Sequence, residues 1–374
     1  MERMHHSLMM SQTESLSSRL AQVHLDILER VPEVERIACA LYDPSTDLVK
    51  TFINSTRQGH AITGYEYPLH NSRALSLLAQ TRDCRVIDDI RADIQAGNPH
   101  SDWLLEQGYR SSYTVPMQNG DRLLGFIFFD SSEAAVFTDR VQRDLLIFCN
   151  LITMVVASEF AAVSSLLATA QAARQFVHLR DFETGAHLRR MAHYSRLIAR
   201  NLLAELNLSD EFVEHVYLFA PLHDIGKIGI PDHILLKPGA LTADERGIMQ
   251  GHVEKGVELV DMVLSGFSLS HLVDSAIMLN IVACHHEFMD GSGYPKGLSA
   301  EQIPLEARIV TTADIFDALT SERPYKKCWS QNEAMAELRR MVGLGKLDGR
   351  CVEALAEAAE EVADIMVRLA DDPV

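Results

Sequence analysis

The chain has 374 residues, of which 47% are hydrophobic and 23% are charged. This balance is typical of a globular protein with full cores, and the length predicts two domains. The formal net charge of −18 argues against a protein that coats nucleic acid, because such binding requires a basic surface. Binding of a small phosphate ligand is not excluded, since it needs only a local cluster of cations or metal ions.

The sequence predicts a cytoplasmic protein. Met1–Ser18 has no continuous apolar core of the kind that a signal peptide needs. The longest apolar stretch, Leu145–Ala157, is shorter than the ~20 residues required to cross a bilayer, so we expect no membrane span. The six cysteines are scattered without a CxxC pair, which favours free thiols in a reducing compartment.

The first part of the chain has the pattern of helices flanking an antiparallel sheet. Ser11–Arg30 and Ala74–Thr81 have the spacing of helices. Runs of strand-forming residues bounded by turn residues predict five strands. These strands are Arg36–Tyr42, Leu48–Ile53, Arg85–Ile87, Tyr113–Met117 and Leu123–Asp130. The pattern predicts an α+β domain over residues 1–140.

The order of these elements and the segment SSYTVPMQNGDRLLGFIFFDS, Ser111–Ser131, resemble a GAF sensory domain. The resemblance implies an α/β sandwich with a sensory or dimerisation role. The Asn-Lys-x-x-Phe-Asp-Glu signature of the cyclic-nucleotide-binding members is absent. The sequence therefore does not decide whether this domain binds a small ligand. The alternative is a dimerisation domain with an empty pocket.

A long connecting helix is predicted over residues 141–180. Neither proline nor glycine occurs from Thr138 to about Arg180, and apolar residues recur at helical spacing. A helix of this length needs more than its own domain to cover it, so we expect a homodimer paired through this helix and the N-terminal domain. The alternative is a helix buried within its own monomer.

Residues 181–374 have a helical pattern nearly throughout, with glycine and proline in the loops. The predicted helices are His187–Leu206, Asp210–Leu222, Ala243–His252, Glu254–Leu264, Ser270–His285, Leu305–Thr320, Gln331–Leu347 and Gly349–Ala370. This pattern predicts an all-α bundle. Metal sites in such bundles are commonly built from histidines and carboxylates that face inward from different helices.

Histidine placement is the strongest functional signal. Ten of the 16 histidines fall between His178 and His286. Several stand beside carboxylates in compact motifs, which a chance distribution rarely produces. The candidate motifs are Glu183 with His187, the pair His223-Asp224, His252, the pair His285-His286, and Asp314. We interpret the remaining histidines of the bundle as structural: His178, His193, His215, His233 and His271.

His223-Asp224 followed by His285-His286-Glu287-Phe288-Met289-Asp290-Gly291-Ser292-Gly293-Tyr294-Pro295 resembles the HD-GYP family of HD-domain phosphohydrolases. The resemblance covers about residues 160–350 and includes Asp314 and Arg323-Pro324-Tyr325-Lys326. It implies an HD-type helical bundle with two or three metals. The implied ligands are His223, Asp224, His252, His285, His286 and Asp314, with Asp224 bridging and with Glu183 and His187 at a third metal.

The ligand set contains only nitrogen and oxygen atoms. Such a set suits iron or manganese and does not exclude zinc or nickel. This ligand set, together with the metal usual in the family, makes iron the metal that we expect first, in a trinuclear centre.

The family resemblance implies hydrolysis of a cyclic dinucleotide, above all cyclic di-GMP, to 5′-pGpG, GMP or both. Asp224 and Lys227 are the predicted catalytic residues, and Lys227 would contact the scissile phosphate or help to protonate the leaving oxygen. Arg323 and Lys326 would bind a phosphate of the substrate. We expect the loop Asp290–Leu298 to support the site, with Tyr294 lining the substrate cleft.

Three alternatives remain at this point. The C-terminal domain could be a cyclic-dinucleotide receptor that has lost catalysis, although every expected ligand is present. It could act on another cyclic dinucleotide such as cyclic GMP-AMP, because the residues do not reveal base specificity. It could be a mononucleotidase, against which the intact Gly-Tyr-Pro segment argues.

Overall fold

The computed structural model describes residues 15–97, 99–176, 185–266, 275–321 and 328–370. Its internal contacts divide the chain into two compact units, residues 1–161 with 209–211 and residues 162–208 with 212–374. The predicted N-terminal and C-terminal domains thus fall largely in different units. The connector predicted over residues 141–180 is shared between them, and its boundaries stay a prediction.

The N-terminal unit contains a six-stranded antiparallel sheet with the strand order β3-β2-β1-β6-β5-β4. The strands are β1 (Arg36–Asp43), β2 (Leu48–Thr56), β3 (Glu66–Pro68), β4 (Arg85–Ile87), β5 (Ser111–Asn119) and β6 (Arg122–Ser131). The helices are α1 (Leu16–Leu28), α2 (Arg73–Thr81), α3 (Ile90–Asp93), α4 (Pro99–Glu106) and α5 (Asp139–Phe176), and α5 continues from residue 162 into the second unit. The sequence did not predict β3, α3 or α4, because such short elements show little periodicity.

Helices α1 and α5 pack on one face of this sheet. Leu20 and Ile27 of α1, Ile152 of α5 and the sheet residues Ile37 and Phe129 belong to one core and are at most 4% exposed. Burial of a side chain of this size stabilises the fold by ~1.5–3 kcal/mol. The other face of the sheet borders a cavity.

Within the described residues, one helical segment, Asp139–Ala161 of α5, is long and apolar enough to cross a membrane by length and composition alone. Its mean hydropathy is 1.7, and 28% of the segment's most apolar window is buried. The core helix of a soluble protein meets the same criterion, so the segment is weak evidence for a span.

The C-terminal unit is helical over the part that the structure describes, as the sequence predicted. Its helices are α6 (Gly185–Leu202), α7 (Asp210–Phe219), α8 (Asp232–Leu235), α9 (Ala243–Gln250), α10 (His252–Gly266), α11 (Ser275–Cys284), α12 (Leu305–Thr320), α13 (Gln331–Gly343), α14 (Gly349–Glu357) and α15 (Ala359–Arg368), except that the first two residues of α7 belong to the N-terminal unit. Tyr194 of α6 and Phe316 of α12 meet edge to face in the core, with ring centroids 5.1 Å apart.

The prediction of one continuous helix over Gly349–Ala370 was wrong. Ala358 has ψ 27° and separates α14 from α15. Its N–H donates to Leu355 three residues back, so the α-helical bonding pattern ends there. Because Leu355 and Val362 on either side are both buried, the apolar spacing does not reveal the break.

Candidate metal centre

Four predicted ligands meet in one group. One ligand atom each of Asp224, His252, His285 and His286 lies within 4.8 Å of the others. Nε2 of His252 is 2.9 Å from Oδ1 of Asp224, and Nε2 of His285 is 3.6 Å from the same oxygen. We call these four residues the first group.

A second group consists of His187, His223 and Asp314, again with ligand atoms within 4.8 Å of one another. Nε2 of His187 is 3.9 Å from Oδ1 of Asp314, and Nε2 of His223 is 4.0 Å from it. Helices α6 and α12 and the turn after α7 therefore bring together side chains that are far apart in sequence.

Asp224 connects the two groups. Its Oδ1 faces His252 and His285, whereas its Oδ2 is 3.1 Å from Nε2 of His223. The same Oδ2 is 2.8 Å from Nζ of Lys227. One carboxylate thus offers an oxygen to each group, which is the arrangement expected of a bridging ligand.

Tight turns rather than a regular helix place the pair His223-Asp224. The two residues lie between the 3₁₀ turns Ala220–Leu222 and Ile225–Gly229, so both side chains can reach the same centre. Gly226 in the second turn lies against the start of α10, and a Cβ there would be 1.9 Å from the carbonyl oxygen of His252. Only glycine permits this approach.

Backbone carbonyls fix the orientation of three imidazoles. Nδ1 of His223 lies 3.0 Å from the carbonyl oxygen of Ala220, and Nδ1 of His252 lies 2.8 Å from that of Met249. Nδ1 of His285 is 3.1 Å from the carbonyl oxygen of Ile281. A carbonyl only accepts, so Nδ1 carries the proton and donates, which leaves the Nε2 lone pair available to a metal.

The electrostatics suit metal ligands. Burial alone would raise the pKa of Asp224, but Lys227 and His223 hold it well below the ordinary value of an aspartate. Burial lowers the pKa of His285 and His286. The carboxylate is therefore charged and these imidazoles are neutral at neutral pH, and both forms bind cations.

The residues fit a bound cation. Oδ1 of Asp224 and Nε2 of His252 and His285 are buried and make no hydrogen bond of normal geometry with the described residues. Burial of such atoms without a partner costs roughly 1–3 kcal/mol each. A divalent ion would satisfy all three at once, and nitrogen and oxygen donors suit transition metals.

Asp317 lies beside the second group, although the sequence indicated no role for it. Its Oδ2 accepts a 2.7 Å hydrogen bond from Nδ1 of His187. Two nitrogens of Arg190 and the hydroxyl of Ser321 donate to the same carboxylate. The only sequence signal was the spacing Asp314-x-x-Asp317, which puts both carboxylates on one face of α12.

The loop Asp290–Leu298 is tied to the His285-His286 segment. Glu287 is 2% exposed, and its carboxylate accepts from the backbone N–H groups of Lys296 and Leu298 at 2.8 and 3.0 Å. The ring of Tyr294 stacks on that of His286 with centroids 4.6 Å apart. These contacts hold the loop against the ligand segment and place Tyr294 beside the first group.

Several predicted residues lie elsewhere. Glu183, Arg323 and Lys326 fall outside the described residues, as do His178 and His271. His193 and His215 pack on rings, with centroids 5.1 Å from Tyr217 and 5.5 Å from Phe219. The individual ligand and substrate roles stay predictions.

Comparison with protein families assigns both units. The family model of the HD domain matches residues 168–351, and that of the GAF domain matches residues 18–156. The HD match covers every described residue of the two ligand groups.

Part of this chain is similar to several curated proteins. The cyclic di-GMP phosphodiesterase response regulator RpfG of Xanthomonas campestris is 47% identical over 50% of this chain and 47% of its own length. A cyclic di-GMP phosphodiesterase of Thermotoga maritima is 41% identical over 52% of this chain and 49% of its own. The 3′3′-cGAMP-specific phosphodiesterase 2 of Vibrio cholerae is 40% identical over 52% of this chain and 35% of its own.

The chain thus spans about half the length, or less, of these curated relatives. Their names, the two domain matches and the His-Asp and Gly-Tyr-Pro motifs agree on one assignment. The chain carries a GAF domain followed by an HD domain, and its HD domain has the motifs of the HD-GYP family.

Proposed function

We propose that this protein hydrolyses a cyclic dinucleotide, in the first place cyclic di-GMP, to 5′-pGpG, GMP or both. The observation that carries the proposal is the position of Asp224, which offers one oxygen to each of two ligand groups. The relatives named as cyclic di-GMP phosphodiesterases support the substrate class.

The ligand groups would hold two or three divalent ions. Two such ions close together make hydroxide available from water at neutral pH and neutralise the charge that builds on a phosphate. The first group, together with His223 and Asp314, would hold two ions. His187 and Glu183 would complete the site of a third. The low pKa of Asp224 keeps its carboxylate charged across neutral pH.

Lys227 is the proposed contact to the scissile phosphate. Its Nζ lies 2.8 Å from Asp224, while its side chain remains 22% exposed and can reach a bound substrate. There the ammonium would stabilise the phosphate charge or help to protonate the leaving oxygen. Tyr294 would line the cleft, and Arg323 and Lys326 would bind a second phosphate.

We propose iron as the metal, in a trinuclear centre, with manganese as the next candidate and zinc or nickel as further alternatives. The donors near Asp224 are imidazoles and carboxylates, and Cys284, the nearest thiol in sequence, has a pKa raised by burial to about 11. A protonated thiol does not compete as a ligand.

The substrate itself is tested by a panel. Metal-replete protein would be incubated with cyclic di-GMP, 3′3′-cGAMP and mononucleotides, with Asp224→Ala as the inactive control. Faster turnover of cyclic di-GMP is the expected result. Preference for 3′3′-cGAMP would move the base specificity to that of the Vibrio cholerae relative. Tight binding of cyclic di-GMP without hydrolysis would make the domain a receptor.

We further propose a cytoplasmic homodimer that pairs through α5 and transmits a signal from the GAF domain to the HD domain. On α5, Ile147, Leu151 and Met154 are exposed at 66%, 37% and 69%, and they recur at the spacing of one helical face. Such a stripe is covered when two copies pair. A flexible glycine insertion after Ser164 should uncouple any regulation; unchanged regulation would contradict it.

A further inference from the structure

The sheet of the N-terminal unit borders an open cavity of about 380 Å³. This volume lies within the range of ~300–1,000 Å³ that is usual for small-molecule sites. The cavity is bordered by β1, β2 and β5 of the sheet and by residues around α2 and α4. All of its lining residues lie within the GAF match, and none of them belongs to the two ligand groups.

Charge in the cavity wall favours an anion. The wall contains three arginines, Arg36, Arg73 and Arg85, against one aspartate, Asp93, in a chain whose net charge is −18. The guanidinium groups of Arg73 and Arg85 make no ion pair or hydrogen bond with other described residues. Two guanidinium groups are therefore available to a ligand, and guanidinium binds carboxylate and phosphate through paired hydrogen bonds.

The lining of the cavity also contains buried polar side chains. Arg36 is 3% exposed and donates through Nη1 to Asp130, but its Nε is buried and makes no hydrogen bond with the described residues. Ser112 donates to the same aspartate at 2.7 Å. Thr114 is 5% exposed, and its hydroxyl makes no hydrogen bond within the described part of the chain. A buried donor such as Nε of Arg36 normally has a partner.

Rings form another part of the wall. Tyr65 stacks on His100 with centroids 5.9 Å apart, and His100 lies 6.2 Å from Phe128. Burial lowers the pKa of His100 to about 4, so its imidazole is neutral at neutral pH and offers a planar face without charge. Such rings pack against planar ligands by offset stacking.

We propose that this cavity binds a small aromatic molecule with a single anionic group, either a carboxylate or a phosphate monoester. The anion meets the guanidinium groups of Arg73 and Arg85, and the aromatic body lies against Tyr65, His100 and Phe128. This site is independent of cyclic dinucleotide hydrolysis.

The test uses Trp103 as a reporter, because its ring lies 4.6 Å from the guanidinium carbon of Arg36 at the cavity. The chain has two tryptophans, so Trp329→Phe leaves the signal to Trp103 alone. The full-length Trp329→Phe protein would be titrated with benzoate, indole-3-carboxylate and phenyl phosphate. Benzamide and indole-3-carboxamide are the neutral counterparts.

We expect saturable binding of the anions, at least tenfold tighter than that of the amides. Replacement of Arg73 and Arg85 by alanine should weaken anion binding at least tenfold, and Thr114→Val should weaken it less. Arg91→Ala is the matched control, because Arg91 is an exposed arginine of the same unit outside the cavity wall, and it should bind as the parent does.

The relative affinity of phenyl phosphate and the carboxylates identifies the anionic group. Three results would overturn the proposal: no saturable change with any anion up to millimolar concentration, equal affinity for anions and amides, or unchanged anion affinity when both arginines are replaced.

Discussion

Asp317 and His187 are joined by a 2.7 Å hydrogen bond between Oδ2 and Nδ1, which turns Nε2 of His187 towards Asp314. Arg190 donates to both oxygens of Asp317 at 2.7 and 3.0 Å and so holds the carboxylate in place. This is the carboxylate–histidine arrangement that orients metal ligands in many sites.

Replacement of Asp317 by asparagine should reduce the metal content of the purified protein. The amide no longer fixes the proton on Nδ1 of His187, and loss of such a partner typically costs ~10–100-fold in metal affinity or activity. Elemental analysis after dialysis measures the loss. Asp261→Asn, on the exposed side of α10, is the control. Full metal content in Asp317→Asn with normal folding would contradict a positioning role.

Replacement of Lys227 by methionine should leave the metals in place and slow hydrolysis. Methionine keeps most of the length of the side chain and removes the ammonium that lies beside Asp224. Loss of one charge-stabilising donor typically lowers kcat by ~10²–10³-fold. Steady-state kinetics and metal analysis would be run on the same preparation, with Lys296→Met as the control. A variant that loses its metals instead would make Lys227 a structural partner of Asp224.

Glutamate at Ile147 or Met154 should dissociate the proposed dimer. These side chains are 66% and 69% exposed on α5, and a charge placed in a paired apolar stripe is costly to bury. Sedimentation velocity would compare each variant with Leu25→Glu, which alters an apolar residue of α1 that is 58% exposed. A parent protein that sediments as a monomer would refute pairing through α5.

His215 should make the protein less stable in mild acid. Burial lowers the pKa of this imidazole from 6.5 to about 4. As the pH falls below 6.5 the unfolded chain gains a proton that the folded chain resists, so the free energy of unfolding falls until about pH 4. A shift of this size corresponds to about 3 kcal/mol.

The variant His215→Phe should therefore move the acid-unfolding midpoint to lower pH, as followed by circular dichroism. Phenylalanine keeps the stacking on Phe219 and has no titrating group. His233→Phe, at an exposed position of α8, serves as the control. Equal midpoints for His215→Phe and the parent would show that this histidine does not govern acid stability.

The sequence predicted the two-domain architecture because its periodicity changes near residue 140, and it indicated the metal centre because histidine and aspartate cluster in motifs. The pairs His223-Asp224 and His285-His286 can be recognised from the sequence without knowledge of the fold. Asp317 was missed because it contacts His187 across 130 positions, and a lone aspartate on a helix has no distinctive spacing. The cavity of the GAF domain was also invisible, since Arg36, Arg73 and Arg85 come together only when the sheet forms.

The most direct test of the central claim combines metal analysis and turnover on one sample. The protein would be purified without oxygen, its metals counted, and its hydrolysis of cyclic di-GMP followed, beside an Asp224→Asn variant that removes the bridging charge. We predict two to three iron ions per chain with production of pGpG or GMP, and loss of both metal and turnover in the variant. Undiminished turnover in Asp224→Asn, or a metal-loaded parent that leaves cyclic di-GMP intact, would contradict the account.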